Sequence, residues 1–516
     1  MARYKPYSYA QGKFIPVHFE DQILPGTFEF ALNHVIDNTL DLSIFDNRYT
    51  NDETGSPAYD PRILLKIILF AYSRGIVSSR KIARVCSENV VFMALSADTR
   101  PHFTTIADFI ATMDKEIITL FREVLLTCDE MSLIGKEMFA VDGCKLSSNA
   151  AKEWSGTRSD FKKKIKKLDK MIGDLISKHR DLDRRQDDNA LIEQEEKYLK
   201  KLQAHASKVR KWLSENEDKI GKSGKPIQSN ITDNDSAKMK GSHGYVQGYD
   251  GVAMVDDKHQ VVVSAEAFGQ AQEHDLLEPL VKSTCDNFQN IGREENVFEG
   301  TKLTADSGFH NENNMEMLTT NEIDAYVADN QIRKRDPRFA DYDRYKVRHR
   351  KELNARKSGQ KLFSVEDFTF PKDLSYCLCP AGKRLYRSGS NVKVKNHIAT
   401  KFKGPKSACV PCQLRSQCLR TPDKTAIRQV AYFHGRSEKG KNTFTEKMKR
   451  KIDSVAGKLI YSKRMGTVEP VFADICYATG LDRFTLRSKP KVNVQWNLFC
   501  IVHNLKKIHQ FGLQLA

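Results

Sequence analysis

A chain of 516 residues, 40% hydrophobic and 29% charged, is too long for one hydrophobic core and predicts two to four domains. Its formal net charge of +17 favours a polyanionic partner, nucleic acid or an anionic membrane surface. The most apolar run, Ile63 to Tyr72, is too short to span a bilayer and carries Lys66, which sets the membrane aside.

The opening M-A-R-Y-K-P-Y-S-Y lacks the apolar run of a signal peptide. With 11 cysteines, an odd number, the expectation is a cytosolic chain with reduced thiols, clustered ones binding metal in preference to forming disulfides.

In chain order, residues 1–130 read as an all-helical N-terminal domain. Asp60-Pro61 starts one helix, with Asp as N-cap and Pro at its first position, and Gly75 ends it after Arg74. Ser78 starts a second, basic helix (Ser79, Arg80, Lys81, Arg84), and Thr104-Thr105 starts a third carrying Ile106, Phe109 and Ile110. Short helices with tight turns suit a helix-turn-helix-like DNA reader, with Arg80 and Lys81 as DNA contacts, and equally a helical bundle with a solvated basic face.

Residues 137–150, E-M-F-A-V-D-G-C-K-L-S-S-N-A, read as a buried strand ending at an acid. In 158–220, Phe161, Ile165, Leu168, Ile172 and Leu175 are spaced 4-3-4-3. After the polar turn Gln186–Asn189, Leu191, Tyr198, Leu202, Val209 and Trp212 fit the same heptad frame. This predicts an antiparallel coiled-coil hairpin, a solvated arm with DNA contact through Lys162–Lys167 as the alternative. Gly221 to Met239 reads as a polar linker. Y-V-Q-G-Y-D-G-V-A-M-V and Q-V-V-V-S-A-E-A-F flank D-D-K-H as an antiparallel hairpin. A helix from His274 to Phe288, the strand K-L-T-A-D-S-G-F, a helix and the strand D-A-Y-V-A-D-N follow, an order that predicts a mixed α/β sheet. The basic stretch 331–373 reads as nucleic-acid contact or as a solvated insert. A basic helix from Thr443 to Arg464 and an amphipathic helix from Asn493 to Ile508 complete the pattern.

Two acids stand at predicted strand ends, Asp142 after F-A-V and Asp306 after L-T-A, each followed by a small residue. Carboxylates at the carboxyl edge of a sheet suit a cleft site and can hold Mg²⁺ or Mn²⁺, though an Asp there can simply start a turn. Glu469 completes the set. Thr467 reads as an N-cap with Val468, Glu469 and Pro470 in the first turn, where a glutamate also suits the helix dipole.

C-L-C-P-A-G-K begins at Cys377, and C-V-P-C-Q-L-R-S-Q-C spans Cys409 to Cys418. Two such groups are typical of structural Zn²⁺ held by thiolates. Cys379, Cys409, Cys412 and Cys418 are the preferred ligands, because Cys379 precedes a Pro-Ala-Gly turn, with Cys377 as the alternative. Cys86, Cys128, Cys144, Cys285, Cys476 and Cys500 read as scattered core residues, and His243 and His310 receive no role.

These motifs, in this order, resemble those of bacterial insertion-sequence transposases of the DDE superfamily. A-Y-D-P-R-I-L-L-K-I-I-L-F-A-Y-S-R-G-I-V-S-S-R-K-I with P-H-F-T-T-I-A-D-F resembles their N-terminal helical domain. F-A-V-D-G-C-K-L-S-S-N-A is similar to the first-Asp motif and L-T-A-D-S-G-F to the second. N-I-T-D-N-D-S-A-K-M and G-Y-V-Q-G-Y-D-G are similar to the hairpin before the second Asp, and I-Y-S-K-R-M-G-T-V-E-P-V-F to the glutamate motif. The resemblance implies a catalytic triad, Asp142, Asp306 and Glu469, holding two Mg²⁺ or Mn²⁺ ions. It also implies contacts of Tyr461, Arg464 and the neighbouring Lys463 with DNA phosphates.

The implied fold is α/β, an RNase H-like mixed sheet flanked by helices and built from residues 131–157, 221–330 and 431–516. It would carry the all-α domain 1–130, a helical-hairpin insertion 158–220 and a basic, zinc-ribbon-like insertion 331–430. The implied activity is cleavage and strand transfer at terminal inverted repeats of double-stranded DNA, by a homodimer on DNA in a nucleoid-associated, cytoplasmic setting. A nuclease without strand transfer and a catalytically lost regulator are the alternatives. In one branch of the family three residues separate Arg from Glu and a lysine follows after six more. Here Met465 to Val468 make four, and Cys476 takes the lysine's place.

Overall fold

The structure, a computed structural model, describes residues 16–49, 57–183, 189–221, 224–241, 244–293, 296–339, 362–371, 373–394, 397–433 and 443–512. By compactness the chain forms two units, Met1–Val327 with Lys458–Ala516, and Ala328–Gly457. Among the described residues no helix is long and apolar enough to cross a membrane.

The first unit opens with six helices: α1 (Phe28–Asn38), α2 (Pro61–Ser73), α3 (Ser79–Glu88), α4 (Val90–Leu95), α5 (Phe103–Ala111) and α6 (Glu116–Glu130). The punctuation of α2 is as the sequence predicts. Asp60 accepts a hydrogen bond from the Arg62 amide at 2.8 Å, and Gly75 leaves the helix at φ +73°. Lys66 is buried within α2 and paired with Asp37 at 2.6 Å. The α5 helix starts at Phe103 with His102 as its cap, one residue before the predicted Thr104.

Strand β1 (Met138–Ser147) follows, then β2 (Ser155–Gly156) and the hairpin α7 (Arg158–Asp183) and α8 (Asn189–Glu215). Phe161, Leu168, Leu202, Ala206, Val209 and Trp212 fill the hairpin seam, with Ile165, Ile172 and Leu175 packed beside it. Tyr198, predicted in the seam, is 46% exposed, keeping its hydroxyl in water. The predicted turn at 186–188 and the side chain of Leu191 lie outside the described residues.

The stretch predicted as a polar linker is instead structured. After β3 (Lys219–Ile220) it holds β4 (Pro226–Ile227), β5 (Ser229–Asn230) and the start of β6 (Ala237–Gly241). Its polar side chains are internal hydrogen-bond partners: Asn230 accepts from the Thr232 and Asp233 amides, and Asp233 accepts from the buried Tyr249 hydroxyl at 2.7 Å.

The predicted hairpin is β7 (Gly244–Asp256) and β8 (Val262–Phe268). Then come α9 (Leu277–Asn290), β9 (Lys302–Ala305), α10 (Glu312–Thr320) and β10 (Asp324–Val327). The main sheet has the order β10-β9-β1-β7, with β6 and β8 both on the outer side of β7. β1, β9 and β10 are parallel, and β7 runs antiparallel to β1. This is the mixed sheet the element order predicts.

The last long helix, α16 (Lys489–Lys507), is buried along most of its length. Trp496 lies against Gly251, where a Cβ would come within 3.2 Å of the indole. Two asparagines of α16 serve the free edge of β8. Asn504 bonds both backbone groups of Val262 at 2.8 and 2.9 Å, and Asn493 both of Ala267 at 2.7 and 3.0 Å. The edge is thereby covered by side-chain amides instead of another strand. α16 also packs on α1, α2, α5 and α6.

The second unit begins with α11 (Ile332–Arg335) and builds an antiparallel sheet from β11 (Tyr376–Leu378), β12 (Arg384–Val394), β13 (His397–Lys403) and β14 (Gln429–Phe433). Between β13 and β14 stand two single turns, α12 (Lys406–Cys409) and α13 (Arg415–Cys418). Arg335 pairs with Asp329 at 2.6 Å and Asp453 at 2.8 Å, and Arg338 with Asp336 at 2.7 Å. Part of the arginine-rich run thus has structural partners, while its 340–361 portion lies outside the described residues. The helix predicted from Thr443 to Arg464 is two helices, α14 (Phe444–Asp453) and α15 (Val455–Ala473), parted at Ser454.

Candidate active site

Val141 of β1 and Ala305 of β9 are register partners in parallel strands, so the residues that follow them, Asp142 and Asp306, stand side by side. Asp306 ends its strand as predicted and caps the 3-10 turn Ser307–Phe309. Asp142 does not, since β1 continues to Ser147. One Asp142 oxygen accepts from the Gly143 amide and the other from Arg464 of α15, both at 2.9 Å. Burial pushes the Asp142 carboxyl above its usual range and Asp306 adds to this, against the pull of Arg464. The Arg464 guanidinium is 5.9 Å from the Tyr461 ring, and its Nε is buried without a hydrogen-bond partner.

Among the described residues no contact joins Glu469 to either aspartate. The glutamate is exposed and makes no hydrogen bond or ion pair among the described residues. At 3.6 residues per turn it stands about 140° around α15 from Arg464, so the two cannot face Asp142 together on a regular helix. Val468 and Val471 are the neighbours that turn into the core.

The predicted helix start at Thr467 is also corrected. Thr467 lies well inside α15, its hydroxyl bonded to the Lys463 carbonyl at 3.1 Å. Pro470 is interior to the helix and offers no amide to the Gly466 carbonyl. That carbonyl accepts from the Gln260 side chain at 3.2 Å instead. Beyond α15 a π-helical turn, Asp474–Ala478, brings Cys476 Sγ to 4.0 Å from Cys144 Sγ. Burial and Cys476 both raise the Cys500 thiol. Three cysteines read as scattered are therefore neighbours, a long-range fact that spacing does not carry.

Three further charged groups escaped the sequence reading. Lys145, on β1, reaches Glu273 at 2.5 Å. Asp250 is the β7 register partner of Lys145 and fully buried, with neither carboxyl oxygen hydrogen-bonded. Burial, then Glu273, push its carboxyl up to about 7. Gly143, directly after Asp142, and Gly308, two positions after Asp306, were the available signal. A Cβ on Gly143 would lie 2.9 Å from Asp250 Oδ1, and one on Gly308 would lie 1.7 Å from Glu273 Oε2.

The other predicted residues stand apart from this centre. Lys463 is exposed on α15, one position before Arg464. Arg80 and Lys81 are exposed on α3, with Arg80 4.8 Å from the Phe103 ring. His310 Nδ1 bonds the Val327 carbonyl at 3.0 Å, and His243 lies outside the described residues.

In the second unit Cys379, Cys409, Cys412 and Cys418 line one cavity of about 30 Å³. Cys377 is buried in the apolar cluster of Phe368, Leu385, Phe402 and Val430. Arg428 reaches the Cys418 carbonyl at 2.9 Å and leaves its Nε buried without a partner. Among the described residues no three His, Cys, Asp or Glu side chains are grouped closely enough to hold a metal ion, in this cavity or at the aspartates.

Two family models match the chain, one described as a transposase DDE domain over residues 378–509, the other as a transposase domain over residues 17–112. Glu469 and the cysteines lie inside the first match, Arg80 and Lys81 inside the second, and Asp142 and Asp306 between the two. No curated protein matches the chain.

Proposed function

We infer that this chain, an insertion-sequence DDE transposase by its two domain matches, cuts double-stranded DNA at the element's terminal inverted repeats and joins the freed ends to a target. The side-by-side placement of Asp142 and Asp306 is the observation that carries the reading. Both are oxygen donors suited to hard cations, and burial raises the Asp142 carboxyl against the pull of its Arg464 partner. Mg²⁺ or Mn²⁺, when bound, supplies activation of the attacking hydroxyl and stabilisation of the leaving oxygen.

Asp142 and Asp306 would hold the cation, and Glu469 is the proposed third carboxylate on an RNase H-like sheet. For Glu469 to join them, α15 must turn or relax at Gly466–Pro470, where its backbone hydrogen bonding is already broken. Arg464 pairs with Asp142 meanwhile, and Arg464, Tyr461 and Lys463 are the proposed contacts to DNA phosphates. Arg80 and Lys81 are the proposed repeat contacts on α3, and joining two ends calls for a homodimer on DNA. Cys379, Cys409, Cys412 and Cys418 are proposed as structural Zn²⁺ ligands after inward movement of the thiols. The orphaned Arg428 Nε beside them suits a thiolate-rich neighbour.

The test uses labelled element ends with Mg²⁺. Asp306→Asn and Glu469→Gln are each expected to abolish cutting while filter binding of the same DNA is unchanged. Normal cutting by Asp306→Asn removes the reading, and normal cutting by Glu469→Gln removes Glu469 from the triad.

A further inference from the structure

Four carboxyl groups stand around β1 and the elements beside it, with Asp142 on one face of the strand and Asp250 on the other. Asp142 and Asp306 stand side by side. Asp250 crowds Gly143, next to Asp142, and Glu273 crowds Gly308, in the turn that Asp306 caps. Two basic groups stand among them, Arg464 on Asp142 and Lys145 on Glu273. Asp250 is fully buried, its oxygens have no hydrogen-bond partner, and its register partner is Lys145. Carboxylates in a poorly solvated place are costly without a counter-charge. Burial works against the Lys145 ammonium, yet Glu273, Asp250 and Asp306 together raise it above the usual lysine range.

We propose that Lys145 is a positioning residue of the carboxylate site, a resident cation that Glu273 fixes among Asp250 and Asp306 and that opposes the charge of an incoming divalent ion. The pair lets the acids stay gathered before a divalent ion arrives. It also weakens the grip on that ion, because an ammonium already supplies part of the missing positive charge. Glu273 is the arm that aims Lys145, and glycine at 308 is the space that arm requires.

The inference rests on the reading that Asp142 and Asp306 hold the cation, and the experiment separates the two. Mn²⁺ binding to the full chain is followed by electron paramagnetic resonance without DNA. Lys145→Met is expected to tighten Mn²⁺ at least tenfold, Lys145→Arg to restore the wild-type affinity, and Glu273→Gln to weaken it at least tenfold. Unchanged or weaker binding by Lys145→Met overturns the proposal. Should that variant fail to fold, Lys145→Gln decides, and unchanged or weaker Mn²⁺ binding there overturns it equally. Asp306→Asn is the control for the underlying reading: wild-type Mn²⁺ binding by it removes the carboxylate site itself, whatever Lys145 does.

Discussion

Asp474 shows how single residues hold the surroundings of the site. It opens the π-helical turn and bonds His503 and Lys506 of α16, each at 2.8 Å. Burial opposes its ionisation, but the hydrogen bonds from His503 and Lys506 outweigh that and hold its carboxyl down at about 2. A folded-state value below the unfolded one means stability that is present above about pH 4 and lost as pH falls toward 2. Asp474→Asn is expected to cost about 2 kcal/mol at pH 7 in denaturant unfolding and almost nothing at pH 2. Equal destabilisation at both values would show that packing, not charge, is what the residue supplies. Asp474 drew no attention in the sequence because its partners lie 29 and 32 positions away. Asp142 and Asp306 did, because a short apolar run ending in an acid and a small residue is a local signal. Asp250 and Glu273 were hidden for the opposite reason, their roles arising from register and from glycines on other strands.

Among the elements, α2 was legible from its Asp-Pro start and Gly stop, since capping chemistry is local. The start of α15 was not. Thr-Val-Glu-Pro has the form of a first turn, and only the tertiary partner of the Gly466 carbonyl explains why Pro470 is tolerated inside a helix. Gln260→Asn, which still accepts the positive φ at that position but shortens the arm, is expected to cost about 1 kcal/mol. It should also speed hydrogen exchange around Gly466, and unchanged exchange there would show that water serves the carbonyl as well. The helical turns α12 and α13 between the cysteines were not legible from spacing; Cys379 lines the cavity with Cys409, Cys412 and Cys418, and Cys377 lies in the apolar cluster. Purified protein is expected to carry one zinc per chain by metal analysis, reduced in Cys412→Ser. A metal-free wild-type chain would leave the four thiols without that role.

For the whole molecule, the order of strands and helices in the first unit could be read in advance because each βα step is local. The reach of α16 could not. Its amphipathic pattern predicts one buried face, yet it is enclosed by the N-terminal helices and by the edge of β8. A chain stopped at residue 488 is expected to bind a hydrophobic dye strongly and to be cut rapidly by protease within α2 and α6. A soluble, protease-resistant truncated chain would contradict that placement of the core. The same feature sets an order of events during synthesis. The helices that end at Glu130 leave the ribosome on the order of 20–75 s before α16 is complete, at 5–20 residues per second. Through that interval the face of α2 that packs on α16 has no permanent cover, and only the neighbouring N-terminal helices shield the rest of it.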